Sequence, residues 1–130
     1  MSGLILLVDD NPINLKLATE ILLAGGYRTV GASDAEQARE LLTTLLPDLI
    51  LMDIALPGMD GLSLTKLLKA EPRLCHVPVI ALTAYAMRGD DLKALAAGCD
   101  GYISKPIDTR VLVEQVAAVI AKARTVNLTP

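Results

Sequence analysis

Five short apolar runs alternate with five helix-like patterns along this chain, and such an alternation leaves few folds open. The runs are LILLV (Leu4–Val8), RTVGA (Arg28–Ala32), LILM (Leu49–Met52), VPVIAL (Val77–Leu82) and GYIS (Gly101–Ser104). The first, third and fourth are nearly continuous aliphatic, as strands buried on both faces should be. Strands and helices in strict alternation argue for a parallel sheet with right-handed crossovers and helices on both faces.

The helix patterns have recognisable ends. Asn11 caps and Pro12 opens the first, whose apolar Ile13, Leu17 and Ile21 recur every fourth residue before Gly25-Gly26 stops it. Ser33 or Asp34 caps the second, which Pro47 ends. Ser63 to Ala70 forms a short third helix closed by Pro72, and Arg88 to Ala97 a fourth, with Gly98 at its C′ position. Asp108 caps a fifth, from Arg110 to about Ala123, with Val113, Val116, Val119 and Ile120 along one side. We therefore expect one domain over residues 1–123 and a frayed tail over 124–130.

Composition narrows the class. Hydrophobic residues make up 52% of the 130, with no Phe or Trp and only three Tyr, which suits helices packed on a buried sheet. A net charge of −3 offers no broad basic face to nucleic acid or an anionic membrane. The run Leu4–Val8 lacks a basic leader and is too short to span a bilayer. Cys75 and Cys99 give neither a disulfide framework nor a zinc pattern, and read as buried thiols in a reducing cytoplasm.

In open parallel sheets ligands bind outside the carboxyl ends of the strands, so the residues leaving each strand carry the chemistry. Asp9 and Asp10 follow the first, Asp53 the third and Thr83 the fourth, while the fifth runs into Lys105. Taken singly, Asp9-Asp10 is a solvated turn, Thr83 a β-former and Lys105 a surface charge; five together at one edge ask for a common reason. Three close carboxylates repel one another unless a cation sits among them. An all-oxygen set suits a hard ion such as Mg²⁺ better than zinc. A lysine and a hydroxyl beside them make a clamp for a phosphoryl group, whose transfer rests on positioning and charge neutralisation. A carboxylate can itself be the nucleophile.

The stretches VDDNPIN (Val8–Asn14), LILMDIALPGMDG (Leu49–Gly61), IALTAYAMRGD (Ile80–Asp90), AAGCDGY (Ala96–Tyr102) and SKPI (Ser104–Ile107) occur in order. Their set resembles the receiver domains of two-component response regulators, of the single-domain type, from about Leu4 to Ala123. The resemblance implies a five-stranded parallel sheet in the order 2-1-3-4-5, the flavodoxin-like fold. It implies that Asp53 accepts a phosphoryl group from a phosphohistidine of a histidine kinase or phosphotransfer protein. Asp10 and Asp53 would bind Mg²⁺ through their side chains, Asp9 through water or indirectly, and Ala55 through its backbone carbonyl. Thr83 and Lys105 would hold the phosphoryl oxygens, and Thr83 with Tyr102 would form the switch. Ala55 and Tyr85 occupy positions that influence water access to the acyl phosphate. Such a protein promotes its own phosphorylation and dephosphorylation and is not a turnover enzyme.

Two other readings stay open at this point. An aspartate-nucleophile phosphatase would also use a strand-end Asp with Mg²⁺, though it usually wants a second Asp where this chain has Ala55. A phosphorylation-independent interaction domain is the other, although such copies usually lose the acidic pocket. A dinucleotide site would need a glycine-rich turn where VDDNPIN stands. We expect Lys105–Pro106 to be cis, because the lysine must turn back toward Asp53 while the chain enters the fifth helix. The downstream partner is expected on the surface of the fourth helix, fifth strand and fifth helix, and the donor near Asn11–Asn14 and Pro106–Ile107.

Overall fold

The computed structural model describes residues 3–83 and 90–128; the expectations that fall on Tyr85 and Arg88 lie outside them. The described elements are β1 (Leu4–Val8), α1 (Pro12–Ala24), β2 (Arg28–Ala32), α2 (Ala35–Leu42), β3 (Leu49–Asp53) and α3 (Gly61–Ala70). They continue with β4 (Val79–Thr83), α4 (Asp90–Ala97), β5 (Gly101–Ser104) and α5 (Leu112–Leu128). The strands form one sheet in the order β2-β1-β3-β4-β5, and every neighbouring pair is parallel.

The two-residue period of a strand divides the core in two. Leu6, Val8, Ile50, Met52, Val79 and Ala81 face a layer that includes Ala35, Ala38 and Leu42 of α2, Leu64 and Leu68 of α3, and Ala94 of α4. Ile5, Leu7, Leu49, Leu51, Ile80 and Leu82 face Ala18 and Leu22 of α1 and Leu112, Val116 and Ile120 of α5. Strands β3 and β4 are buried throughout, which is why their sequences read as unbroken apolar runs.

Of the Ile13–Leu17–Ile21 series, only Ile21 packs against the core. Ile13 is 74% exposed and Leu17 is exposed as well, while Leu15, Ala18 and Leu22 turn to the sheet. The helix is apolar nearly all round, so spacing alone could not choose among its faces. Helix α2 ends at Leu42, well before Pro47. The Thr43 hydroxyl donates to Glu40 O and the Thr44 hydroxyl to Leu41 O, and the Arg73 guanidinium donates to Leu42 O and Leu45 O. The last carbonyls of the helix are thus satisfied from outside it. Helix α5 runs past Ala123 to Leu128, through a sequence with no glycine or proline before Pro130.

A polar clamp closes the edge of the sheet away from the strand C-termini. Lys69 of α3 donates to Val77 O at 2.8 Å and pairs with Asp100 at 3.0 Å. The same Asp100 oxygen accepts the Val79 N–H at 2.9 Å. One lysine and one aspartate tie α3 to the start of β4 and to the turn before β5.

Candidate functional site

Adjacent β1 and β3 lie where the strand order reverses, so the crevice beyond their C-termini is the natural site of this topology. Asp9 follows β1 and is 3% exposed. Its Oδ1 accepts the Asn11 N–H at 2.9 Å, an Asx-type turn that turns the chain into α1. Asn11 then caps that helix, its side-chain oxygen accepting the N–H groups of Ile13 and Asn14. Asp10 is exposed on the same turn.

Asp53 ends β3 and is also 3% exposed. Its Oδ1 accepts the Ala55 N–H at 2.9 Å, while its Oδ2 accepts a hydrogen bond from Lys105 Nζ at 2.8 Å. Asp9, Asp10 and Asp53 each offer an oxygen within 4.8 Å of the others. Buried Thr83 ends β4, and its carbonyl accepts the Lys105 N–H at 2.7 Å, which fixes the lysine's backbone beside it. The Lys105–Pro106 peptide is cis. Tyr102 of β5 is exposed at 43% of its surface.

Among the described residues, three carboxylates face one ammonium. Lys105 Nζ lies 3.5 Å from Asp9 Oδ2, an ion pair but no hydrogen bond, so this buried oxygen has no hydrogen-bond partner. Burial raises the Asp9 carboxyl above its ordinary value; the Asn11 amide opposes this and the Asp53 charge adds to it. Burial alone would lower the Lys105 ammonium, but the hydrogen bond and charge of Asp53, with Asp9 behind it, hold it above its ordinary value. A buried, orphaned carboxylate oxygen beside two further carboxylates fits a hard divalent cation.

One contact was not legible from the chain. Gly61, the first residue of α3, donates its N–H to Ile54 O at 3.2 Å. A Cβ at Gly61 would stand 2.2 Å from the Asp53 carbonyl oxygen. In PGMDG it reads as one more turn glycine, and only the packing shows that α3 begins against the peptide of Asp53.

Comparison with known proteins decides the family: the sequence model of the response regulator receiver domain matches residues 5–117. The chain belongs to that family. The receiver is 42% identical to the polar-differentiation response regulator DivK of Brucella ovis over 123 residues, covering 95% of this chain and all of that protein. Among solved structures, the receiver domain of the sensor histidine kinase PA1611 of Pseudomonas aeruginosa superposes with a TM-score of 0.85 at 37% identity, over 93% of this chain and 99% of that one. That structure carries a magnesium ion coordinated in its active site cleft. The signal receiver domain of a histidine kinase from Syntrophus aciditrophicus gives 0.85 at 35% identity, over 92% and 91% of the two chains.

Proposed function

We propose that the carboxylate of Asp53 accepts a phosphoryl group from a phosphohistidine of a histidine kinase or phosphotransfer protein, in the cytoplasm. The observation that carries this reading is a single ammonium, Lys105, held by Asp53 at 2.8 Å and by Asp9 at 3.5 Å at the mouth of a three-carboxylate crevice. A carboxylate oxygen of Asp53 forms a new bond to phosphorus as the phosphorus–nitrogen bond of the donor breaks. The electron pair leaves with the imidazole.

Asp10 and Asp53 would hold a Mg²⁺ ion through their side chains, Asp9 through water and Ala55 through its carbonyl, and the ion would offset the phosphoryl charge. The chain's own residues do the rest. The Ala55 amide fixes one oxygen of Asp53. Lys105 stands at the other, where arriving negative charge is offset without reorganisation. The Thr83 hydroxyl donates to the phosphoryl group from the neighbouring strand. The receiver thus promotes its own phosphorylation and the hydrolysis that ends it, as phosphoacceptor and not as turnover enzyme.

The donor docks along the exposed apolar edge of α1, where Ile13 and Leu17 stand beside the Asn11–Asn14 rim, and on Pro106–Ile107. The output partner binds the surface of α4, β5 and α5, where Leu92, Leu95 and Tyr102 are exposed. The test is Asp53→Asn with a phosphohistidine donor or acetyl phosphate. Acid-labile, hydroxylamine-sensitive label should vanish; undiminished label resistant to hydroxylamine in the variant would move the site elsewhere.

A further inference from the structure

A groove of about 830 Å³ runs between α2 and α3, away from the acidic crevice and from both surfaces assigned above. Its floor is aliphatic, from Leu42, Leu68 and Leu74, and the β3–α3 loop closes one end with Pro57 and Met59. Met59 is 37% exposed there, an adaptable apolar side chain held open to solvent. A volume of this size accommodates several side chains of a ligand.

The rim carries more acidic than basic side chains. Asp34, Glu36, Glu40 and Glu71 line the groove against two cations, Arg39 and Arg73. Arg73 is committed to the carbonyls of Leu42 and Leu45. Asp34 is committed to capping α2 through the Gln37 N–H. Among the described residues no ion pair or side-chain hydrogen bond reaches Glu36, Glu40 or Glu71.

Their placement makes matters worse within the free molecule. Glu36 and Glu40 stand four apart on α2, a spacing at which like charges repel. Glu40 sits in the last turns of α2 and Glu71 is the C-cap of α3, so each adds negative charge near the negative end of a helix dipole. A cation lying in the groove would relieve all three.

We propose that the α2–α3 groove docks a partner-protein segment that carries an apolar side chain flanked by lysine or arginine. The apolar group sits against Met59 and the aliphatic floor, and the flanking cations pair with Glu36, Glu40 and Glu71. A second copy of this chain is disfavoured as occupant, because a two-fold contact would set the same carboxylates against each other. An anionic ligand would meet four carboxylates and two guanidinium groups, of which only Arg39 is uncommitted.

The test uses the ¹⁵N-labelled chain and a synthetic peptide with a central Leu-Met pair between two Lys-Arg pairs. Shifts should concentrate at residues 34–43, 57–59 and 68–74, and binding should weaken as salt rises. Glu36→Gln/Glu40→Gln/Glu71→Gln should weaken it about tenfold without lowering the melting temperature, and Met59→Ser should weaken it too. Glu20→Gln/Glu114→Gln, changed on other helices, should leave it intact. Weakening by that control in proportion to the two charges it removes, against three in the test variant, would reduce the effect to net charge and overturn the proposal. Equal binding of an analogue with Glu for Lys and Arg, shifts confined to α4 and β5, or self-association that buries the groove would overturn it too. Asp53→Asn leaves this groove untouched, so the two readings fail separately.

Discussion

Lys105 reaches back across 52 residues of sequence to set its ammonium 2.8 Å from Oδ2 of Asp53. The same nitrogen stands 3.5 Å from Asp9 Oδ2, so one side chain serves two buried carboxylates. This double duty makes Lys105 the resident counter-ion of both carboxylates, and it sets the sign of the first two predictions.

Lys105→Met should destabilise the metal-free protein by about 1–2 kcal/mol, less than for a fully buried pair because the lysine is partly solvated. Millimolar Mg²⁺ should restore part of the loss. The ammonium is held above its ordinary value of 10.5, so its stabilising share is complete below that pH and disappears as pH climbs through the raised value. Denaturant melts of both proteins from neutral pH to beyond 11 should converge; a constant gap would show that the loss is one of packing.

Asp9→Asn should have the opposite effect. Because burial raises the Asp9 carboxyl, its ionised form costs the folded state stability near neutral pH. An amide also removes one of three neighbouring negative charges. The metal-free variant should gain about 1 kcal/mol at pH 7, and the gain should fade as pH falls toward the ordinary value of 3.8. Mg²⁺ affinity, read by titration calorimetry, should fall in the same variant; unchanged affinity would remove Asp9 from the site.

Gly61→Ala should reduce phosphorylation more than its loss of stability explains. The new methyl would press on the Asp53 carbonyl, and relief requires the peptide carrying Asp53 to move. Gly25→Ala is a fitting control, since its Cβ would strike Val113 at 2.8 Å between α1 and α5, away from the crevice. With both variants shown folded, a lower phosphorylation rate only in Gly61→Ala supports the positioning role. Equal rates would dismiss it.

Phosphorylation adds roughly 1.5–2 negative charges to the crevice. If the Thr83 hydroxyl moves to meet them, it vacates space beneath β4 that Tyr102, now exposed, can enter. The shift biases two existing states, so beryllofluoride with Mg²⁺ should change NMR shifts out to Tyr102, and Thr83→Ala should confine them to the crevice. Shifts that reach Tyr102 equally without the hydroxyl would remove this coupling.

The strands were legible because buried parallel strands leave an unbroken aliphatic record, and their polar exits pointed to one edge. The structure brings Asp9, Asp10, Asp53 and Lys105 together there, with Thr83 alongside. What escaped was packing: which face of α1, with apolar residues on most sides, meets the sheet, and that Arg73, 31 residues away, helps finish α2. Neither leaves a periodic trace. Gly61 escaped for the same reason, since a missing side chain says nothing about what would occupy its place.

The Lys69–Asp100 clamp gives the sheet a mechanical character. It grips the start of β4 through Val77 O and the Val79 amide, and the turn that leads into β5. Thr83 and Lys105 stand at the far ends of these two strands. The base of the pair is therefore anchored to α3, and the tips that carry Thr83 and Lys105 lie beyond that anchor.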